Sequence, residues 1–281
     1  MTNIENKNKI DEAWIRLYSR LQNDGLVEES RSESIIKSDI FKWAASVAIL
    51  CICSVIAFML YKPTAQKKEM LTLHNSEIAA NLVTTLEDGS IVYLANQATL
   101  SYPQNFDNDK REVYLQGEAF FDIHKNIEKP FYIETELIKI EVLGTAFNVK
   151  SRDNSNFSLS VLRGKVKVTL KETNSSINIE AGQTVLLNNK NLNRIETSDL
   201  AQFTDYANRM HFKDQRLADI VKVINSNSDN LKIELSPQLC DRLLTVTFID
   251  ENTSEMAELI SIALNLQYKQ SDNIIQISGL K

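Results

Sequence analysis

The sequence predicts a membrane-anchored chain built from a single transmembrane helix, an all-β domain of the sandwich or barrel-like kind, and then a small α+β domain. Three observations carry this. Nineteen consecutive residues, Trp43 to Tyr61 (WAASVAILCICSVIAFMLY), hold no formal charge. From Asn81 the apolar pattern runs with period 2 in short stretches, mostly separated at glycines. From about Asp205 a period of 3.6 returns, in two stretches that alternate with strands.

The uncharged stretch would span about 28 Å as a helix, close to the roughly 30 Å of a bilayer's hydrocarbon core. Lys42 and Lys62 bracket it, and Trp43 and Tyr61 sit where aromatic rings prefer the headgroup boundary. A cleaved signal peptide is the rival reading, but its apolar region is normally shorter, lies nearer the N-terminus and ends in a small-residue cleavage site. Arg31, Lys37 and Lys42 before the span face Lys62, Lys67 and Lys68 after it, so positive charge does not orient it. Cys51 and Cys53 lie inside the span, where the plain reading is small apolar filler. Cys240 alone lies outside it, which excludes a soluble-domain disulfide within one chain.

Residues 1–42 form a polar arm. Ile10, Trp14, Leu17, Tyr18 and Leu21 recur at helical spacing among Asp11, Glu12, Arg16 and Arg20, which predicts one amphipathic helix stopped by Asn23-Asp24-Gly25. Ser30 to Ile40 carries a weaker helical pattern. About forty residues cannot bury a stripe containing Trp14 and Tyr18 by themselves, so the stripe wants a partner surface. The alternative is a helix lying in the headgroup plane, which Asp11 and Glu12 make less attractive on an anionic leaflet.

Residues 62–80 read as a connector and 81–200 as the β domain. Its runs are Ser90 to Leu94, Glu112 to Leu115, Ala119 to Ile123, Ile138 to Val142, Ala146 to Lys150, Phe157 to Leu162, Lys165 to Leu170 and Thr184 to Leu187, all rich in Val, Ile, Leu and aromatics. Asp88-Gly89 and Arg163-Gly164 separate apolar runs by about two residues, which predicts tight hairpins. In residues 205–281, Leu217, Ile220, Val221 and Ile224 mark one helix. Met256, Leu259, Ile260, Ala263 and Leu264 mark a second, opened by an Asn252/Glu255 capping box. Strands are expected at Leu231 to Leu235 and Leu243 to Ile249, and a final hairpin at Leu266 to Gln270 with Ile274 to Ser278.

A chain of 281 residues with 43% hydrophobic and 24% charged residues is globular material, and a net charge of −6 without a basic block argues against direct binding of nucleic acid. His74, His124 and His211 are scattered, and neither a metal-ligand spacing, a phosphate loop, a dinucleotide fingerprint nor a nucleophile elbow occurs. No cofactor and no enzyme active site are expected. Glu112, Glu118 and Asp122 lie near one another, but charges on the solvent face of strands are the default.

The segments LEDGSIVYLANQATLSYP (Leu86 to Pro103), REVYLQGEAFFDI (Arg111 to Ile123), KPFYIET (Lys129 to Thr135), VLGTAFNV (Val142 to Val149), VLRGKVKV (Val161 to Val168) and EAGQTVLL (Glu180 to Leu187) resemble the FecR family of membrane-bound anti-sigma factors. The module from about Met210 to Gly279 is similar to the C-terminal domain of FecR-like regulators, itself like the short signalling domain of secretins and TonB-dependent receptors. The arm departs from the family, being shorter than the sigma-binding domain of some relatives.

The resemblance implies a signal relay. The arm, through Ile10, Trp14, Leu17, Tyr18 and Leu21, would bind an extracytoplasmic-function sigma factor in the cytoplasm. The chain would cross the inner membrane once, and its C-terminal part would listen in the periplasm to an outer-membrane TonB-dependent receptor. It further implies self-cleavage at Gly144-Thr145, as in some FecR-like proteins, by attack of the Thr145 hydroxyl on the Gly144 carbonyl; the plain alternative is a tight turn. A cell-envelope scaffold without a regulatory role is the runner-up function, and an envelope hydrolase the third.

Overall fold

The computed structural model describes residues 2–26, 39–60, 69–78, 80–151, 157–199 and 201–279. The chain divides into two compact units, Met1–Gln66 and Lys67–Lys281.

The first unit holds two helices, α1 (Thr2–Asn23) and α2 (Asp39–Leu60). Asn23, Asp24 and Gly25 end α1 as their types predict. The Asp24 amide donates to the Arg20 carbonyl and the Leu26 amide to that of Leu21, closing the last turn around Gly25. Helix α2 covers most of the uncharged stretch, with Ile49, Leu50, Ile52 and Phe58 exposed. Tyr61 and most of the Ser30 to Ile40 pattern lie outside the described residues. Among the described residues, no helix is long and apolar enough to cross a membrane.

The second unit is mostly β. Its strands are β1 (Met70–His74), β2 (Asn81–Thr85), β3 (Ile91–Leu94), β4 (Thr99–Pro103), β5 (Arg111–Asp122), β6 (Phe131–Glu134), β7 (Ile138–Val142), β8 (Ala146–Ser151) and β9 (Phe157–Arg163). There follow β10 (Lys165–Leu170), β11 (Ser175–Glu180), β12 (Gln183–Asn188) and β13 (Asn191–Glu196). After a single turn, α3 (Asp205–Asn208), come β14 (Arg209–Arg216), α4 (Leu217–Ser226), β15 (Lys232–Leu235), β16 (Leu243–Ile249), α5 (Thr253–Leu264), β17 (Leu266–Ser271) and β18 (Ile274–Gly279).

Fifteen of these strands form one hydrogen-bonded sheet that folds over on itself along β5. The first half of β5 lies between β4 and β6, and its second half between β3 and β8. One layer is therefore β1-β4-β5-β6-β7-β10-β11, and the other is β13-β12-β9-β8-β5-β3-β2-β14-β16. Alternation puts Ile138, Ile140 and Val142 of β7, and Val166, Val168 and Leu170 of β10, into the space between the layers. There they meet Phe121 and Phe147, whose rings stack with centroids 5.5 Å apart. The runs Glu112 to Leu115 and Ala119 to Ile123 are thus one strand, which passes between layers at Gly117. An ideal Cβ on that glycine would lie 2.8 Å from the Ala98 Cα, so the crossing needs a bare backbone.

The hairpin expected at Asp88-Gly89 forms, between β2 and β3. The one expected at Arg163-Gly164 does not: β9 pairs with β8 and β12, whereas β10 pairs with β7 and β11. The dipeptide carries the chain from one layer to the other, and the apolar phase on its two sides reads the same in either case.

The strands β14 and β16 extend the second layer, through a parallel contact of β14 with β2. The other strands of the α+β part form a separate sheet, β15-β18-β17. A second core lies on the outer face of the second layer. Val83, Ile91, Tyr93, Phe120 and Ala146 are buried there against Phe203, Tyr206, Met210, Leu217, Ile220 and Ile224. This is why β3 is a continuous apolar run: both its faces are covered. Polar ties reinforce the seam. The Asn227 side-chain amide donates to the Tyr93 hydroxyl at 2.7 Å, and Lys222 donates to the Gly89 carbonyl at 2.8 Å. Burial pushes the Tyr93 phenol up to about 12. Helix α5 opens with the Asn252/Glu255 capping box, both reciprocal bonds being present.

Candidate functional site

Two places answer the residues singled out by sequence, and each is described within its own unit. On α1, Trp14 is 63% exposed; Leu17 and Tyr18 are also exposed, Leu21 is half-buried, and the side chain of Ile10 lies outside the described residues. Ile15, which the spacing left out, is equally bare, and with Trp14, Tyr18, Ser19 and Gln22 it lines a shallow surface groove. The helix thus presents a broad apolar surface, flanked by the exposed Glu12–Arg16 pair at 3.9 Å.

The second place is the peptide joining Gly144 to Thr145, between β7 and β8. Thr145 is buried, 2% exposed, and its Oγ1 is without a hydrogen-bond partner among the described residues. An orphaned buried hydroxyl costs about 1–3 kcal/mol, so this one calls for an explanation. Residues on either side of the peptide are fastened: the Asn126 amide donates to the Leu143 carbonyl at 2.7 Å and the Ile123 amide to that of Thr145 at 2.9 Å. The loop carrying these donors closes over Gly144, where an ideal Cβ would lie 2.5 Å from the Lys125 Cα. From the other side Gly164 approaches, its own ideal Cβ lying 2.7 Å from Thr145 Cγ2 and 3.1 Å from the Gly144 carbonyl oxygen.

The loop is itself held by a buried cation. Arg111, 1% exposed, pairs through one terminal nitrogen with Asp88 at 2.6 Å and donates to the His124 carbonyl at 2.9 Å, while its Nε donates to the Lys129 carbonyl. Its guanidinium carbon lies 5.3 Å from the centroid of the Phe131 ring. Asp88 is further bound by the Ser90 amide and hydroxyl, and that hydroxyl accepts from the His124 amide. Neither Lys125 nor Gly164 was distinguishable by sequence as part of this site; VLRGKVKV marks Gly164 only as a break between strands.

The three carboxylates of β5 are not brought together as an acid–base pair. Glu112 pairs with Lys110 at 2.6 Å, Glu118 with Lys150 at 3.3 Å and Asp122 with Arg163 at 2.7 Å. The Nδ1 atoms of His74 and His211 face the hydroxyls of Thr99 and Thr247 on neighbouring strands, and His124 is exposed on its loop. Among the described residues no group of three or more His, Cys, Asp and Glu side chains is placed to hold a metal ion.

Residues 74–167, which include β2 through β9 and the Gly144–Thr145 peptide, match the family described as FecR protein. Two crystal structures, each of a candidate anti-sigma factor from Parabacteroides distasonis ATCC 8503, are similar to the chain. One matches at 23% identity with a TM-score of 0.45 and the other at 24% with 0.43; each covers 76% of this chain and is itself covered in full. No curated protein matches the chain in sequence.

Proposed function

We propose that the chain is a membrane-anchored anti-sigma factor of the FecR kind, which holds an extracytoplasmic-function sigma factor with its N-terminal arm and senses an outer-membrane TonB-dependent receptor with its C-terminal part. The observation that carries this reading is a FecR-matching β body in one chain with a helical arm whose aromatic stripe is left bare. An apolar helix face of this sort is satisfied by a groove on a helical partner. The uncharged stretch Trp43 to Tyr61 supports an inner-membrane anchor with the N-terminus in the cytoplasm and the β body in the periplasm. The strands β15, β16 and β17 each have one unpaired side among the described residues, which suits edge-strand docking of a receptor domain.

The full-length chain should co-purify with its sigma factor. Trp14→Ala with Leu17→Ala should weaken that complex by roughly 30-fold or more, since a buried aromatic anchor commonly contributes 2 kcal/mol or above. Equal retention of sigma factor by wild type and double variant would sink the assignment of the stripe, and no retention by either would favour an envelope scaffold.

A second activity is favoured by the orphaned Thr145 hydroxyl: self-cleavage at Gly144-Thr145. The Thr145 Oγ1 adds to the Gly144 carbonyl carbon, the bond from that carbon to the Thr145 nitrogen breaks, and the hydroxyl proton passes to that nitrogen. The product is an ester with a free amine. Water then opens the ester, leaving a Gly144 carboxylate and restoring the Thr145 hydroxyl. The purified chain should give two fragments, beginning at Met1 and Thr145. Thr145→Ala is expected to abolish the cut and Thr145→Ser to keep it; an uncut wild type would reduce Thr145 to a turn residue.

A further inference from the structure

We infer that Gly164 is the positioning residue of the Gly144–Thr145 site: its bare Cα keeps open the space in which the Thr145 side chain and the Gly144 carbonyl rearrange. The inference rests on the self-cleavage reading and adds to it a residue twenty positions away in sequence. Gly164 faces both reacting groups at once, since an ideal Cβ there would approach Thr145 Cγ2 to 2.7 Å, Thr145 Cβ to 3.3 Å and the Gly144 oxygen to 3.1 Å. Ordinary contact between carbon atoms is about 3.5–4.0 Å, so a methyl group at this point would displace the Thr145 side chain by about 1 Å. The opposite wall cannot yield easily, because the Lys125 backbone is already packed against Gly144 and the loop is pinned by bonds to Leu143 and Thr145. A peptide held between two close walls, with one wall made of glycine, allows the attacking hydroxyl and the displaced carbonyl oxygen to move only along that wall.

Two substitutions separate this role from a general need for glycine. Gly164 has φ +91° and Gly182 has φ +82°, so alanine meets similar backbone strain at either position, but nothing lies within 4 Å of an ideal Cβ on Gly182. A further variant removes the closest of these approaches from the other side, because Thr145→Ser deletes Cγ2 and keeps the hydroxyl, and the remaining ones, at 3.1 and 3.3 Å, ask for shifts of only a few tenths of an ångström.

The experiment follows fragment appearance in the full chain, purified in detergent, with thermal melting recorded for each variant. Gly164→Ala is expected to slow the cut about a hundredfold, a loss that a 1 Å misplacement can cause. Gly182→Ala should cut at the wild-type rate. Gly164→Ala with Thr145→Ser should recover to within about threefold of Thr145→Ser alone, a non-additivity expected only of residues in contact. Wild-type cutting by Gly164→Ala, or equal slowing by the two alanine variants, would overturn the assignment while leaving the Thr145 chemistry standing. If Gly164→Ala melts far below wild type, the double variant decides: recovered cutting upholds the steric role and continued failure overturns it. An uncut wild type defeats the self-cleavage reading itself, and this assignment falls with it.

Discussion

A chain that ends at residue 199 is expected to lose cooperative folding, although it keeps β1 through β13 and loses only β14 and β16 from the two-layered sheet. The truncation uncovers the outer face of the second layer, where Val83, Ile91, Tyr93 and Phe120 lie at 7% exposure or less against the helices and strands beyond. Burial of side chains of this size contributes about 1.5–3 kcal/mol each, so the four together amount to roughly 6–12 kcal/mol. That is comparable to the whole stability of an ordinary domain, about 5–15 kcal/mol. Urea unfolding of residues 69–199 against residues 69–281, with a dye for exposed apolar surface, checks this. A monomeric truncated protein with an unchanged midpoint would mean that the two cores are independent. The β body and the residues beyond 200 would then not be separable pieces.

The second large effect is expected at Arg111. Replacement by Met keeps an apolar stem but removes the guanidinium that lies over Phe131 and leaves Asp88, 14% exposed, without its cation. Breaking one side of a buried pair costs about 3–5 kcal/mol. Asp88→Asn in the same chain should restore part of the loss, because the uncompensated charge is then gone while the amide oxygen still accepts one of the two bonds from Ser90. Chemical denaturation of the single and double variants gives the comparison. A loss below about 1 kcal/mol for Arg111→Met would show the pair to be dispensable. If the chain cuts itself at Gly144 as proposed, the cut should slow with the same substitution, since the loop that carries Lys125 loses its anchor at His124.

Much of this architecture was legible wherever local pattern and tertiary burial agree. β7, β10 and β16 occupy the bounds their apolar alternation predicts, and the Asn252 cap sets the start of α5. Seven strands had no bounds legible in the pattern: β1, β2, β4, β6, β11, β13 and β14. In β13 five of six residues are exposed, so hydrophobic phase carries no signal, and the strand exists because β12 offers its edge. The pairing of β9 and β10 was misread because two adjacent apolar runs look alike whether they pair or part company. For the site, Gly144 and Thr145 stood out as a turn between runs. The walls around them, Lys125 and Gly164, come from other segments of the chain, and only the crossing between layers brings them within reach.

The place of the Gly144–Thr145 bond in the strand order bears on what a cut there would do mechanically. The bond lies between β7 and β8, yet the strands before and after it are interleaved. Residues before it share ladders with residues after it at β7–β10, β5–β8 and β2–β14, over five, six and two residue pairs. A cut chain would therefore remain one particle at rest. Under tension applied at its C-terminal end it would behave as a rivet with a rated load: the covalent backbone would no longer bear the pull, and release would require the three ladders and the two cores packed beside them to tear.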